Sequence, residues 1–379
     1  MIKRLEIPVA IRVDAGPQIG TGHLMRMLTL ADALKQKGAR VRFVSRCIPL
    51  HLQRTLEGKG HEFMALPAAP MSDVTGDLAH SHWLNVDQMR DAEDTRQALS
   101  DVPWEWLIVD HYALDARWEG ALRACARRIF VIDDLADRTH DCDILLDQNL
   151  VETLEMRYVG KVPAGCRTLL GANYALLNPI YEELHDQVPA RSGPIRRLLI
   201  FFGGADRDNL TGRSLAAFLS LKRRDIEVDA VIGSSSPHAA GVRYLASDHA
   251  NVRVHDHLPT LAPLMAKADL ALGATGATSW ERLCLGLPSL VVTMADNQHH
   301  VATYLHKEKL VEWLGDQEAV DEHTIAFALC RLLAQDSILE WSQRCARACT
   351  GRGLQNVLDC MKAVAGPAFA CTEAAKARP

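Results

Sequence analysis

The fold of the N-terminal half is decided by the stretch Val13-Asp14-Ala15-Gly16-Pro17-Gln18-Ile19-Gly20-Thr21-Gly22-His23-Leu24-Met25-Arg26. It follows an apolar run from Leu5 to Val13, which is typical of a buried strand. It leads into residues 24–37, where apolar side chains recur at helical spacing. The stretch therefore predicts a glycine-rich turn between a first strand and a first helix, in which Gly20 and Gly22 allow close approaches that side chains would prevent.

His23 stands at the predicted start of this helix. A helix N-terminus directs unpaired amide groups and the positive end of its dipole at whatever lies over the turn, which favours a phosphate. The same dipole disfavours the imidazolium form, so His23 is a candidate general base, with helix capping as the alternative. Met25 occupies the third glycine position of the dinucleotide motif G-x-G-x-x-G, and NAD binding is therefore disfavoured.

The composition is that of an ordinary soluble globular protein. The chain has 379 residues, of which 48% are hydrophobic and 23% charged, and this length predicts two or three domains. Since the net charge is −5, we expect no nucleic-acid partner. The N-terminus lacks the layout of a signal peptide, and no apolar run reaches the roughly 18 residues of a membrane span. We therefore predict a cytoplasmic location without membrane insertion.

Neither a metal nor a cofactor is expected from the sequence. The ten cysteines contain no C-x-x-C pair, and no histidine stands at a spacing that would complete a zinc site. Asp141-Cys142-Asp143 matches the D-x-D pattern of a metal-binding motif. It stands at the start of a predicted strand, however, where it more readily serves as a cap. Reduced thiols in a cytoplasmic protein explain the cysteines.

Polar side chains follow three predicted strands of the first half. These are Asp110-His111-Tyr112, Asp133-Asp134 and Asp147-Gln148-Asn149. Ligands bind at the carboxyl ends of parallel strands, although an aspartate there also caps turns. Their repetition at one edge of the sheet favours a binding cleft.

A second strand, glycine turn and helix begin after residues 187–194, which have the composition of a linker. An apolar strand runs into Gly203-Gly204-Ala205-Asp206, and a further loop, Gly273 to Glu281, precedes another helix. The pattern predicts an α/β protein with domains at 1–188 and 193–350, followed by a C-terminal helix and flexible tail at 351–379. Two such domains imply a ligand cleft between them.

These segments together resemble the MurG-like GT-B nucleotide-sugar proteins, which have two Rossmann-like open parallel-sheet domains facing across a cleft. Within that class they resemble the PseG family of UDP-2,4-diacetamido-2,4,6-trideoxy-β-L-altropyranose hydrolases, from about residue 9 to about 305. The matching segments are Arg12-x-Asp14, Gln18-Ile19-Gly20-x-Gly22-His23-x-x-Arg26, Val109-Asp110-His111-Tyr112, Ile132-Asp133-Asp134, Cys142-Asp143-Ile144-Leu145-Leu146, Tyr174-Ala175-Leu176-Leu177, Gly203-Gly204-x-Asp206, Leu285-Gly286-Leu287-Pro288 and Asn297-Gln298.

The resemblance implies a metal-independent enzyme of pseudaminic acid biosynthesis, a pathway that supplies flagellin glycosylation. Water attacks the anomeric carbon, and UDP leaves the free sugar. The family's catalytic histidine corresponds to His23 and its active-site asparagine to Asn297. The residues expected to bind the substrate are Asp14, Gly20, Gly22, Arg26, Tyr112, Gly203, Gly204, Thr275, Gly276, Glu281 and Gln298.

Several of these assignments have alternatives in the residues themselves. Glu281 could accept hydrogen bonds from both ribose hydroxyls or simply be a first-turn glutamate favoured by the helix dipole. Asp14 could hold the His23 tautomer, contact the sugar or serve a turn. Arg12 and Arg26 could neutralise phosphate or pair with carboxylates. Backbone amides at two helix N-termini would bind the diphosphate.

Three rival functions share the pattern: a MurG-like glycosyltransferase, a hydrolysing 2-epimerase of a related UDP-sugar, and a non-catalytic nucleotide-sugar-binding protein. The chain departs from the family by extra residues around 68–84, a candidate rim loop of the active site, and by a longer C-terminal end. We expect a monomer or a weak oligomer.

Overall fold

A computed structural model of the protein describes residues 6–16, 18–68, 76–233, 236–256 and 258–366. The chain divides into two units. The first comprises the described residues up to Asn149, Thr153–Leu176 and the chain from Gly353 onward. The second comprises Leu150–Glu152 and Leu177–Arg352.

Thirteen strands are present in the described residues. They are β1 (Ile7–Val13), β2 (Ala39–Ser45), β3 (Glu62–Ala65), β4 (Trp104–Asp110), β5 (Ala126–Ile132), β6 (Ile144–Asp147), β7 (Arg167–Leu170), β8 (Arg197–Phe201), β9 (Glu227–Val231), β10 (Val252–His255), β11 (Leu270–Ala274), β12 (Ser289–Thr293) and β13 (Glu312–Asp316).

Thirteen α-helices accompany these strands over the same described ranges. They are α1 (Gly22–Gln36), α2 (Leu50–Gly58), α3 (Gln88–Ala98), α4 (Ala116–Leu122), α5 (Pro179–His185), α6 (Leu210–Ser220), α7 (Ala239–Ala246), α8 (Ala262–Lys267), α9 (Ala277–Cys284), α10 (His299–Lys307), α11 (Glu322–Leu333), α12 (Leu339–Ala348) and α13 (Gly353–Ala365). Short 3₁₀ turns occur at Ser81–Leu84, Leu154–Met156, Ala172–Tyr174 and Asp296–Gln298.

The first unit holds a seven-stranded parallel sheet in the order β3-β2-β1-β4-β5-β6-β7. The strand order reverses between β1 and β4, the position at which open α/β sheets bind ligands. Val13 is the register partner of Asp110, so the ends of these two strands lie side by side. The glycine turn after β1 therefore stands next to the Asp110-His111-Tyr112 segment.

The second unit repeats this plan with six parallel strands in the order β10-β9-β8-β11-β12-β13. Its order reverses between β8 and β11, where Phe201 is the register partner of Gly273. The Gly203-Gly204 turn and the loop after β11 therefore share one edge. The predicted fold class, two α/β domains with open parallel sheets, is confirmed.

Apolar side chains from both faces of the sheets fill the cores. Val9 and Ile11 of β1 are fully buried with Leu24 and Met27 of α1. Each such side chain stabilises the fold by about 1.5–3 kcal/mol. α13 packs in this same core through Val357 and its apolar neighbours, so the C-terminal helix is a structural part of the first unit.

The bounds of the units differ from the predicted domain bounds. α5 groups with the second unit rather than ending the first, because Tyr181 is buried there with its hydroxyl 3.9 Å from the Met265 sulfur. β7 lies where no strand was predicted, since only four residues form it and its first two are exposed. Residues 69–75 of the predicted rim loop and residues 367–379 of the predicted tail lie outside the described residues.

Candidate active site

The glycine turn after β1 holds His23 at the start of α1. Gly16 and Gly20 close the turn through a backbone hydrogen bond of 2.7 Å, and Gly20 has a φ of +79°, which favours glycine. α1 begins at Gly22, and the first turn of the helix contains no acidic residue. The turn therefore aims the His23 side chain toward the neighbouring end of β4.

Asp110 at the end of β4 binds the His23 ring, with 2.6 Å between Oδ1 and Nδ1. A carboxylate only accepts hydrogen bonds, so Nδ1 carries the proton and the neutral ring keeps its lone pair on Nε2. Both side chains are mostly buried. This is the arrangement of an oriented general base, with the carboxylate fixing the tautomer.

Arg26, one helical turn after His23, links the His23–Asp110 pair to Asp134 at the end of β5. Its guanidinium donates to both oxygens of Asp110 at 2.6 Å, and its Nη1 lies 2.8 Å from Asp134. Burial alone would raise the pKa of Asp110, but the charge of Arg26 and the hydrogen bond from His23 hold that pKa well below its usual range. Of the two roles left open for Arg26, the structure shows pairing with carboxylates.

Aromatic side chains enclose the His23 ring. Tyr112 meets it edge to face at 4.5 Å between centroids, and the Tyr112 hydroxyl donates to Asp134 at 2.6 Å. Burial raises the pKa of Tyr112 well above its ordinary value. The Tyr112 hydroxyl is thus engaged by Asp134 and its ring supports His23, while substrate binding by Tyr112 stays a prediction.

Asp14 does not contact His23, contrary to one predicted role. Its fully buried carboxylate binds Arg12 at 2.7 Å, Ser45 at 2.8 Å and the Arg46 amide at 2.7 Å, and lies 3.2 Å from His111 Nε2. The predicted contact of Asp14 with the sugar stays a prediction. Asp110 is the partner of His23, and the sequence could not identify it because the β1–β4 pairing joins segments about ninety residues apart.

In the second unit, the Gly203-Gly204 turn differs from the turn in the first. Gly203 has a φ of +94°, and the turn delivers Asp206 to the start of α6. The Asp206 carboxylate accepts hydrogen bonds from the amides of Leu210 at 2.8 Å and Thr211 at 3.0 Å. It thereby occupies the N-terminus of α6, while the predicted substrate contacts of Gly203 and Gly204 stay predictions.

The start of α9 is the better anion site in this unit. Gly276 is the N-cap, and the first turn of the helix carries no acidic residue. The Gln298 amide nitrogen lies 3.9 Å from the place of a Cβ on Gly276, and the Gln298 carbonyl accepts from the Met294 amide at 2.9 Å. The structure thus brings the predicted residues Gly276 and Gln298 together, with Asn297 half-buried beside them and Thr275 fully buried.

Glu281 lies in the second turn of α9 and not at its start. Burial raises its pKa to about 7, although the Tyr181 hydroxyl and the Arg282 guanidinium act in the opposite direction. The first-turn explanation for this glutamate is therefore wrong. A carboxyl that ionises near neutral pH fits a binding position better than a stabilising surface charge.

Two side chains near His23 were given no role by the sequence analysis. Asp134 was noted only as part of a polar strand end, and it binds Arg26, Tyr112 and Asn149. Trp83 stacks on Tyr112 at 5.4 Å and comes from residues 68–84, which were predicted as a candidate rim loop of the active site with no role for this tryptophan. Residues 76–84 of that segment are described, and they do lie beside the candidate site.

The described residues also bear on metal ligation and membrane insertion. Among the described parts of the chain, no cluster of three or more His, Cys, Asp or Glu is placed to hold a metal ion. None of the helices in those parts is long and apolar enough to span a bilayer.

Comparisons with known proteins support the resemblance drawn from the sequence. Residues 198–349 match the model of the glycosyltransferase family 28 C-terminal domain. The spore coat polysaccharide biosynthesis protein SpsG of Bacillus subtilis is 22% identical, over 86% of this chain and 89% of its own length. A Campylobacter jejuni protein named UDP-2,4-diacetamido-2,4,6-trideoxy-beta-L-altropyranose hydrolase is 26% identical, over 79% of this chain and 96% of its own.

Solved structures share the architecture. MurG of Acinetobacter baumannii superposes with a TM-score of 0.64 and 14% identity, over 94% of this chain and 99% of its own. Medicago truncatula UGT71G1, solved with UDP-glucose, gives a TM-score of 0.63 and 12% identity, over 95% and 99%. The chain therefore has the GT-B fold, and its resemblance to this family of nucleotide-sugar proteins is confirmed.

Proposed function

We propose that the protein is a hydrolase that releases UDP from UDP-2,4-diacetamido-2,4,6-trideoxy-β-L-altropyranose, as a step of pseudaminic acid biosynthesis. The observation that carries the proposal is the His23–Asp110 pair, 2.6 Å apart, at the switch point of the first sheet. Such a pair orients a base. The named hydrolase from Campylobacter jejuni supports the choice of sugar.

In the proposed mechanism, Nε2 of His23 accepts a proton from a water molecule as its oxygen bonds to the anomeric carbon. The bond from that carbon to the phosphate oxygen breaks, and its electron pair leaves with UDP. The products are the free sugar and UDP, and the proton passes from His23 to solvent. Asp110 holds the imidazole in the required tautomer, and Asn297 orients the sugar or the water.

The second unit binds UDP in this proposal. The N-terminus of α9 offers backbone amides to the diphosphate near Gly276, with no carboxylate in its first turn. Glu281 accepts hydrogen bonds from the ribose hydroxyls. Neither role requires a metal ion or a cofactor. We also propose a cytoplasmic protein that acts as a monomer or weak oligomer.

A glycosyltransferase is the second candidate, because the family model that matches residues 198–349 describes a glycosyltransferase domain. In that reaction His23 would remove a proton from a sugar hydroxyl instead of water. The same site geometry serves both reactions, so the acceptor distinguishes them.

The purified protein should convert the UDP-diacetamido sugar to UDP and free sugar with no acceptor added and with EDTA present. Chromatography and mass spectrometry of the products provide the measurement. UDP-N-acetylglucosamine serves as the comparison substrate, and the free sugar's stereochemistry separates hydrolysis from 2-epimerisation. Turnover only after adding an acceptor would establish the transferase, and binding without turnover would establish a non-catalytic protein.

A further inference from the structure

Residues 76–85 place a tryptophan beside the candidate base. The Trp83 ring lies 6.2 Å from the His23 ring, edge to face, and stacks on Tyr112 at 5.4 Å with 24° between the planes. Trp83 is only half-buried, although Leu84 next to it is fully buried. An indole with part of its surface open beside a catalytic histidine is placed to contact the substrate rather than only to fill the core.

The position of this indole is fixed by the backbone around it. Leu84 is buried in the apolar core on one face of the first sheet. The Ser81 hydroxyl donates to the Leu78 carbonyl at 2.9 Å, and the Trp83 amide donates to the His80 carbonyl at 2.9 Å. Asp77 binds Arg117 near the start of α4 at 2.8 Å. The Asp77–Arg117 pair and the buried Leu84 attach the turn to the unit, and the two hydrogen bonds within the turn fix its backbone around Trp83.

The polar groups that surround His23 are already engaged with one another. Arg26 pairs with Asp110 and Asp134, and the Tyr112 hydroxyl donates to Asp134. What these residues add to the substrate side of His23 is therefore mainly ring surface. A sugar hydroxyl buried against such rings would lose its bonds to water without replacement, whereas a methyl group gains from the contact.

His80 extends the same surface. Its ring lies 4.6 Å from Trp83 and 5.3 Å from Tyr112. Burial lowers the pKa of His80, which favours the uncharged imidazole beside Trp83.

We infer that Trp83 determines sugar specificity, by packing against the acetamido and C6 methyl groups of a UDP-linked deoxy sugar. This inference rests on the proposed function and adds to it the feature that separates acetamido and deoxy sugars from fully hydroxylated hexoses.

Trp83→Ala and Trp83→Phe, with Trp341→Phe as a matched control on α12, provide the test. Trp83→Ala should raise KM for the UDP-diacetamido sugar about tenfold, a typical scale for losing one aromatic contact. Its kcat should change little, and its KM for UDP-glucose should stay the same, so discrimination falls about tenfold. Trp83→Phe should retain most of the wild-type discrimination between the two substrates. Trp341→Phe should behave as wild type.

A binding measurement separates failure of this inference from failure of the proposed function. Calorimetry on the His23→Ala background should show that adding Trp83→Ala weakens the UDP-diacetamido sugar about tenfold while UDP binds equally well. Tryptophan emission should change on adding the sugar nucleotide to the wild type and not to Trp83→Phe. Equal sugar-nucleotide affinity with and without Trp83 overturns the role of Trp83 alone. A wild-type protein that binds neither UDP nor any UDP-sugar overturns both the role of Trp83 and the proposed function.

Discussion

The two units start from the same local pattern and end with different chemistry. In both, the first strand runs into a glycine turn and a helix, next to the strand at which the sheet order reverses. In the first unit the turn aims His23 at Asp110 on the neighbouring strand. In the second it aims Asp206 at the amides of its own helix. The same backbone motif thus orients a candidate base in one unit and caps a helix N-terminus in the other.

The charges of the two candidate sites differ in the same way. In the first unit the Arg26 guanidinium pairs with the carboxylates of Asp110, which is fully buried, and Asp134, which is mostly buried, beside His23. Such pairs add little net stability but fix side-chain geometry. In the second unit Glu281 is a half-buried carboxyl whose pKa rises to about 7. The first unit thus offers an oriented histidine, and the second offers a carboxyl that ionises near neutral pH.

Replacing His23 should have the largest effect of the changes that test this difference between the two units. In His23→Ala the base is lost, so kcat should fall ~10²–10⁴-fold, while UDP affinity stays unchanged. Steady-state kinetics and calorimetry give the two values. His51→Ala, an exposed histidine on α2, is the matched control and should keep full activity. Near wild-type turnover in His23→Ala would remove the assignment of the base.

Replacing Asp110 and Asp14 separately tests which carboxylate orients His23. Asp110→Asn weakens a charged hydrogen bond worth about 1.5–3 kcal/mol, so kcat should fall roughly 10- to 100-fold. Asp14→Asn should lower the free energy of unfolding by ~3–5 kcal/mol, because it disrupts a buried ion pair, with kcat of the folded fraction kept. Denaturant titration and kinetics on the same samples measure both. Equal losses of kcat in Asp14→Asn and Asp110→Asn would mean that Asp14 also orients His23, the role that we give to Asp110.

Glu281 should make UDP binding depend on pH. Because its pKa is raised to about 7, the side chain is mostly protonated near pH 6 and mostly ionised near pH 8. Only the carboxylate accepts from both ribose hydroxyls. The ratio of wild-type to Glu281→Gln affinity should therefore be about tenfold near pH 8 and approach unity near pH 6. The ratio cancels the titration of UDP itself. A ratio that stays constant across this range, or equals one throughout, contradicts the ribose contact.

The glycines of the first turn should show the smallest effects. Gly20 has a φ of +79°, so Gly20→Ala should cost about 1–3 kcal/mol of unfolding free energy. A Cβ on Gly22 would meet no atom within 4 Å, so Gly22→Ala should leave stability within about 0.5 kcal/mol. If the substrate approaches this backbone, Gly22→Ala should still raise KM a few-fold. An unchanged KM would remove Gly22 from the binding site.

The sequence predicted what periodicity and glycine spacing control. The open parallel sheets, the turn before α1 and the polar ends of β4, β5 and β6 all follow from local patterns. β7 and β13 were not predicted, because they are only four and five residues long and hold at most one fully buried side chain each. The partner of His23 could not be predicted, because it depends on which strand lies beside β1. The fixed position of Trp83 likewise depends on packing between distant segments.

The most direct test of the central claim follows the oxygen of water during hydrolysis. In the proposed mechanism His23, oriented by Asp110, activates water toward the anomeric carbon. In oxygen-18 water with EDTA, mass spectrometry should find the label in the free sugar and none in UDP. Label in UDP, or release of UMP and a sugar phosphate, would show attack on phosphorus and contradict the proposed mechanism.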